Sequence, residues 1–198
     1  MKTFIDRLFW RHNHTCPWWL CFTFDNAFRR FFQSPEQILR PYVAEDMTVL
    51  DIGPGMGYFS IPLARMVGPK GRVIAADIQP EMLCVLQRKA KREALHQRIV
   101  PHLCKSDSLD LQTKVDFALA FWMVHEVPDP FTFFRELSFV LKPSGKMLMA
   151  EPTIHVTRRM YIKTIQEAES VGFRVAGNPK IFMSRSSLLE LGRMESDP

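Results

Sequence analysis

Three glycines and two acids are the first residues whose spacing points to chemistry. Asp51-Ile52-Gly53-Pro54-Gly55-Met56-Gly57 follows a β-rich run at residues 47–52 and precedes a helix-period segment. Glycine at such a junction lets the backbone turn tightly and lets a ligand approach where a Cβ would collide. Counted from Gly53, the sixth position is Tyr58, so the spacing is G-x-G-x-G and departs from the G-x-G-x-x-G of a dinucleotide loop. No G-K-S/T follows, which excludes a Walker loop. Asp51, two residues before the first glycine, suits a ligand carrying an ammonium group better than a pyrophosphate. A second acid, Asp77, ends the next apolar run, where an open α/β sheet reads ribose hydroxyls. Together these features predict an adenosine-bearing ligand that is not a dinucleotide.

A second group lies past residue 120. His125 and Glu126 follow a buried-strand pattern, and either could take a proton from an acceptor hydroxyl or amine. The alternative for the pair is structural, with Glu126 capping the next helix and His125 packing locally. Glu151 and His155, near the end of a later strand, are similar candidates. His12, His14, Cys16 and Cys21 form a soft-ligand cluster, but its spacing matches no metal motif and no metal is expected.

These residues need a scaffold. The chain has 198 residues, 46% of them hydrophobic and 24% charged, enough for one globular core and unlike a disordered or disulfide-stapled chain. Its net charge of +5 is spread along the sequence, so no nucleic acid partner is expected. With no signal-peptide pattern, no long apolar run and no C-x-x-C among four cysteines, the expected location is cytoplasmic. From residue 47 onward short apolar runs alternate with helix-period segments, the pattern of βα units around a mainly parallel sheet. Strands are predicted at 47–52, 72–76, 98–104, 115–122 and 146–150. Helices are predicted at 58–67, 80–95, 130–141 and 157–170. Two closing strands, 173–176 and 180–184, flank a Gly177-Asn178-Pro179 turn and must be antiparallel.

The first 45 residues are different in kind. They hold 11 of the 23 aromatic residues, which predicts a helical lid segment at 1–45 ahead of a ligand-binding domain at 46–198. Trp18, Trp19, Phe22 and Phe24 would line an apolar acceptor pocket and keep water out. The helical spacing of Phe4, Ile5, Leu8 and Phe9 also suits peripheral membrane contact, and an exposed aromatic segment suits a homodimer.

In order, Asp51 to Gly57, Asp77, Lys105-Ser106-Asp107-Ser108 and Val115 to Phe121 resemble the successive motifs of class I S-adenosylmethionine-dependent methyltransferases, over residues 45–185. The resemblance implies an α/β, Rossmann-like, seven-stranded sheet with helices on both faces and an antiparallel C-terminal hairpin. It assigns Asp51, Gly53, Gly55 and Gly57 to the methionine moiety of S-adenosylmethionine and Asp77 to its ribose. Ile78 would pack on the adenine, Asp107 with Ser108 would meet its amino group, and Phe121 would close the methionine side. S-adenosylhomocysteine would be the product. Met123 to Pro130, Phe134 to Leu137 and Leu141 to Lys146 resemble the small-molecule branch that includes ubiquinone and menaquinone biosynthesis enzymes. The implied activity is methyl transfer to a small, apolar or aromatic acceptor. The alternative on the same fold is a non-catalytic or cofactor-sensing binding protein.

Overall fold

The computed structural model describes residues 32–105 and 107–192. Trp18, Trp19, Phe22, Phe24 and the His12/His14/Cys16/Cys21 cluster lie outside the described residues. The chain enters through α1 (Pro35–Leu39), started by Ser34, whose hydroxyl accepts from the Gln37 N–H, and by a proline in the first turn. Then follow β1 (Thr48–Ile52), α2 (Ser60–Met66), β2 (Arg72–Asp77), α3 (Pro80–Arg92) and β3 (Ile99–Leu103). The second half comprises β4 (Val115–Phe121), a 3-10 turn (Val124–Glu126), α4 (Pro130–Val140), β5 (Leu141–Pro152), α5 (Arg158–Ser170), β6 (Phe173–Gly177) and β7 (Ser184–Leu191).

The strands form one seven-stranded sheet in the order β3-β2-β1-β4-β5-β7-β6. All pairs among β1 to β5 are parallel, whereas β7 runs antiparallel to both of its neighbours, β5 and β6. The chain starts in the middle and winds outward in both directions. That leaves a crevice at the carboxyl ends of β1 and β4, where the winding reverses.

Central strands are buried on both faces and therefore read as apolar runs. Leu50, Ala118 and Met149 meet Phe134 and Leu137 of α4 and Ala168 of α5. Val49, Phe117 and Leu148 meet Leu39 of α1, Leu63 of α2 and Leu86 of α3 on the other face. The stretch before β1 joins this second layer: Leu39 is fully buried and Tyr42 stacks on Phe117 at 5.8 Å.

Two sequence expectations are corrected. The predicted stop at Lys142-Pro143-Ser144-Gly145 is a bulge inside β5, because Leu141 already pairs with Val115 before the register jumps to Lys146 opposite Phe117. The last strand spans Ser184–Leu191, where the sequence reading put it at 180–184. Residues 178–183 form the connection. The first half of β7, Ser184 to Ser187, has no β-branched residue; it pairs with β5, and Ser186 and Ser187 are buried there.

Candidate active site

A cavity of about 460 Å³ opens at the carboxyl ends of β1 and β2, within the usual range for a small-molecule site. Its floor is the turn after β1. Gly53 has φ +66°, and a Cβ there would stand 3.1 Å from Cβ of Met123, so glycine allows the turn after β4 to approach. The Gly53 N–H donates to the Ala76 carbonyl at 2.9 Å, which ties this turn to β2. Gly55 also lines the cavity. Gly57 does not: its φ is +86° and a Cβ would lie 2.4 Å from Leu86 Cδ1, so this glycine admits α3 beneath the loop.

Asp77 ends β2 on the cavity wall. It is largely buried, and its carboxylate accepts from the Gln79 N–H at 2.9 Å. Burial pushes its carboxyl up to about 6, against backbone N–H groups of Gln79, Gly55 and Ile78 that favour the charged form. Ile78 exposes an apolar side chain at the wall. Asp107 and Ser108 face the same space from the turn after β3. That turn closes on itself through Lys105 N–H to Ser108 carbonyl at 3.1 Å, and Glu136 of α4 clamps it. One Glu136 oxygen accepts from the Leu109 N–H at 2.6 Å and from the Ser108 hydroxyl at 3.2 Å.

Asp51 lies behind the wall. It is 2% exposed, accepts from the Ser60 hydroxyl at 2.5 Å and does not line the cavity. Its carboxyl is pushed up to about 7, chiefly by burial; the Ser60 hydrogen bond opposes this and the nearby Asp77 adds to it. Phe121 also lies elsewhere: it points into the layer of α2, with its ring 4.4 Å from that of Phe59. The next residue, Trp122, adopts φ +61° and lines the cavity instead. Its indole N–H donates to the Ser184 hydroxyl at 2.9 Å. The resemblance had placed Phe121 on the methionine side; the chain leaves the sheet at the left-handed Trp122, and it is Trp122 that lines the cavity.

His125 and Glu126 occupy the 3-10 turn after β4. Glu126 lines the cavity, and the cap of α4 is Asp129, which accepts from the Thr132 N–H, so the capping role read for Glu126 is not the one it has. His125 does not line the cavity but is fixed by Glu151 at the end of β5. Glu151 is 1% exposed and accepts from the Val124 N–H at 2.9 Å, the His125 N–H at 3.2 Å and His125 Nδ1 at 2.6 Å. With its proton held on Nδ1, a neutral His125 presents Nε2 as its basic nitrogen. His155 stacks on it at 6.3 Å. Neither Glu136 nor Trp122 was singled out by the sequence, whereas Glu151 was named with His155.

The cavity has a marked charge. Its lining includes five carboxyl side chains, Asp77, Asp107, Glu126, Asp129 and Glu136, and a single lysine, Lys105, which pairs with Asp110 at 2.9 Å. A ligand with delocalised or fixed positive charge, an apolar flat portion and hydroxyls to donate fits this lining.

A model of a methyltransferase domain matches residues 44–180, most of the chain. The chain belongs to this methyltransferase domain family. Among curated relatives, demethylmenaquinone methyltransferase of Halalkalibacterium halodurans is 30% identical over 62% of this chain and 51% of its own length. The Geobacillus stearothermophilus enzyme of the same name is 29% identical over 68% of this chain and 59% of its own. This methyltransferase-family chain thus spans between half and three fifths of the length of those two relatives. Among solved structures, an S-adenosylmethionine-dependent methyltransferase from Aquifex aeolicus superposes with TM-score 0.79 at 24% identity, covering 88% of this chain and 98% of that one. Aeropyrum pernix fibrillarin, solved with natively bound S-adenosyl-L-methionine, reaches TM-score 0.60 at 21% identity over 75% of this chain and 67% of that one. At these identities the superpositions establish the fold.

Proposed function

We propose that the chain is an S-adenosylmethionine-dependent methyltransferase acting on a small, apolar or aromatic acceptor. The observation that carries this reading is the cavity at the β1 and β2 edge, where Gly53 and Gly55 form backbone floor, Asp77 an acid wall and Ile78 an apolar one. Asp77 would accept from the ribose hydroxyls, Ile78 would pack on the adenine, and Asp107 would accept from its amino group. The acids of the lining would favour the sulfonium and ammonium charges. When bound, this cofactor supplies a methyl group on a positively charged sulfur. The two relatives act, by their names, on demethylmenaquinone, which supports an aromatic, apolar acceptor.

The chain's own contribution to transfer is position and proton handling. Trp122 and Met123 border the cavity, Met123 against Gly53 of the glycine turn; Trp122 is tied to Ser184 and the following Val124 to Glu151, which would fix the approach of an acceptor. An acceptor hydroxyl gives its proton to His125 Nε2, while Glu151 holds the ring and stabilises the resulting imidazolium. The free thiols Cys84 and Cys104 support a reducing, cytoplasmic setting.

The test is calorimetric titration of the full chain with S-adenosylmethionine and S-adenosylhomocysteine. Wild type is expected to bind both, and Asp77→Ala to lose roughly 10- to 100-fold in affinity, the loss of hydrogen bonds to a charged group. A folded wild type that binds neither would overturn the proposal in favour of a non-catalytic protein on this fold.

A further inference from the structure

Arg185 has a charge that the described structure does not answer. Its Nε is the single buried side-chain nitrogen or oxygen among the described residues without a hydrogen-bond partner, and its guanidinium makes no ion pair with any described residue. A guanidinium remains charged at any physiological pH, and a partly buried one without a partner is unfavourable.

Its neighbours explain why no side chain answers it. Arg185 sits opposite Glu151 in the antiparallel β5–β7 register, so both project from one face of the sheet. Both act electrostatically on the Tyr161 phenol of α5, which places them together beneath that helix. Yet the Glu151 oxygens are engaged by Val124 and His125. The Tyr161 hydroxyl donates to Ser187 at 2.8 Å, and Ser187 in turn donates to Asn178 at 2.9 Å. The polar groups nearby satisfy one another and leave the cation over.

The surroundings indicate what would answer it. Thr153 N–H donates to the Met183 carbonyl at 3.0 Å, so the loops after β5 and before β7 run side by side. Ile154, Phe182 and Met183 on these loops expose 71%, 52% and 41% of their surface. A cation and a histidine beside an exposed apolar rim match a flat apolar molecule carrying one ionisable oxygen.

We propose that Arg185 is an oxyanion-recognition residue for the acceptor, and that the acceptor is an aryl alcohol bound as its oxyanion. The O–H bond of the aryl hydroxyl breaks, its proton joins His125 Nε2, and the electron pair left on oxygen faces the guanidinium. This inference rests on the methyltransferase reading for the identity of that molecule as a methyl acceptor; the subsite itself is tested without it.

The probe is para-nitrophenol, whose phenolate and phenol absorb at different wavelengths, titrated into the full chain with and without S-adenosylhomocysteine. Wild type is expected to bind it with conversion to the phenolate. Arg185→Gln should weaken binding roughly 10- to 100-fold and abolish the conversion, Arg185→Lys should fall between, and S-adenosylhomocysteine affinity should be the same in all three. Equal binding by wild type and both variants, binding of the neutral phenol alone, or no binding by wild type would each overturn the proposal. Should Arg185→Gln not fold, unchanged phenolate binding and conversion in Arg185→Lys would overturn it, and a loss would uphold it, because a guanidinium fork is what lysine lacks. Arg185-dependent probe binding without any binding of S-adenosylhomocysteine would sink the methyltransferase reading and leave the subsite standing.

Discussion

Replacing Asp51 by Asn should make the protein more stable at neutral and alkaline pH. Asp51 is buried, and its carboxyl is pushed from 3.8 to about 7. Between those values the folded chain keeps a proton that the unfolded chain releases, so raising the pH favours unfolding through this group. Its favourable effect is complete below 3.8 and lost as pH rises through 7. A change of about 3 in pKa corresponds to about 4 kcal/mol, the amount by which ionised Asp51 disfavours the fold at pH 8 relative to pH 4. Asn keeps an oxygen for the Ser60 hydroxyl and carries no titrating proton. The assay is urea unfolding of both proteins from about pH 4.5 to 8, reading the difference in unfolding free energy. Asp51→Asn should gain on wild type as pH rises, most steeply between about 4.5 and 6.5, and the gain should level off by about pH 8. A difference that is flat with pH, or that moves the other way, would refute the assignment of Asp51 as a carboxyl destabilised by burial.

Gly57→Ala combines a left-handed φ with a methyl 2.4 Å from Leu86, and urea unfolding should show a loss of roughly 2–4 kcal/mol. Glu136→Ala deprives the Leu109 N–H and Ser108 hydroxyl of their acceptor. Calorimetry should then show S-adenosylhomocysteine binding weakened about tenfold. Glu151→Gln places an amide N–H where three donors converge, so turnover of an aryl alcohol should fall roughly 100-fold with cofactor affinity kept, and its pH–rate profile should shift because His125 loses its anionic partner.

The sheet was legible wherever one segment carried its own signal. The apolar run ending in Asp51, the glycines at 53, 55 and 57 and the acid at Asp77 lie within single βα units, and the structure puts Gly53, Gly55, Asp77, Ile78, Asp107 and Ser108 around one cavity. The misses depend on distant partners. The first half of β7 owes its strand conformation to pairing with β5, since Ser184 to Ser187 has no β-branched residue. Phe121 was placed at the site by resemblance, but the left-handed Trp122 that follows β4 lines the cavity instead, a backbone turn that a motif match does not report. Glu136 clamps a loop 27 residues before it, and nothing in the helical pattern of α4 marks that contact. Asp51 was read as facing the ligand, whereas its own strand turns it toward Ser60.

The acid lining of the cavity also bears on how a charged ligand would enter it and a neutral product leave. The chain is positive overall, at +5, but the cavity walls carry five carboxyl groups against one lysine. A cationic ligand is therefore attracted at short range by the walls and, beyond a Debye length of about 8 Å, repelled weakly by the rest of the molecule. In the proposed reaction, methyl transfer would remove the charge from sulfur. The carboxylates that would grip a charged reactant would then have less hold on the neutral thioether, and that difference in affinity would help empty the site.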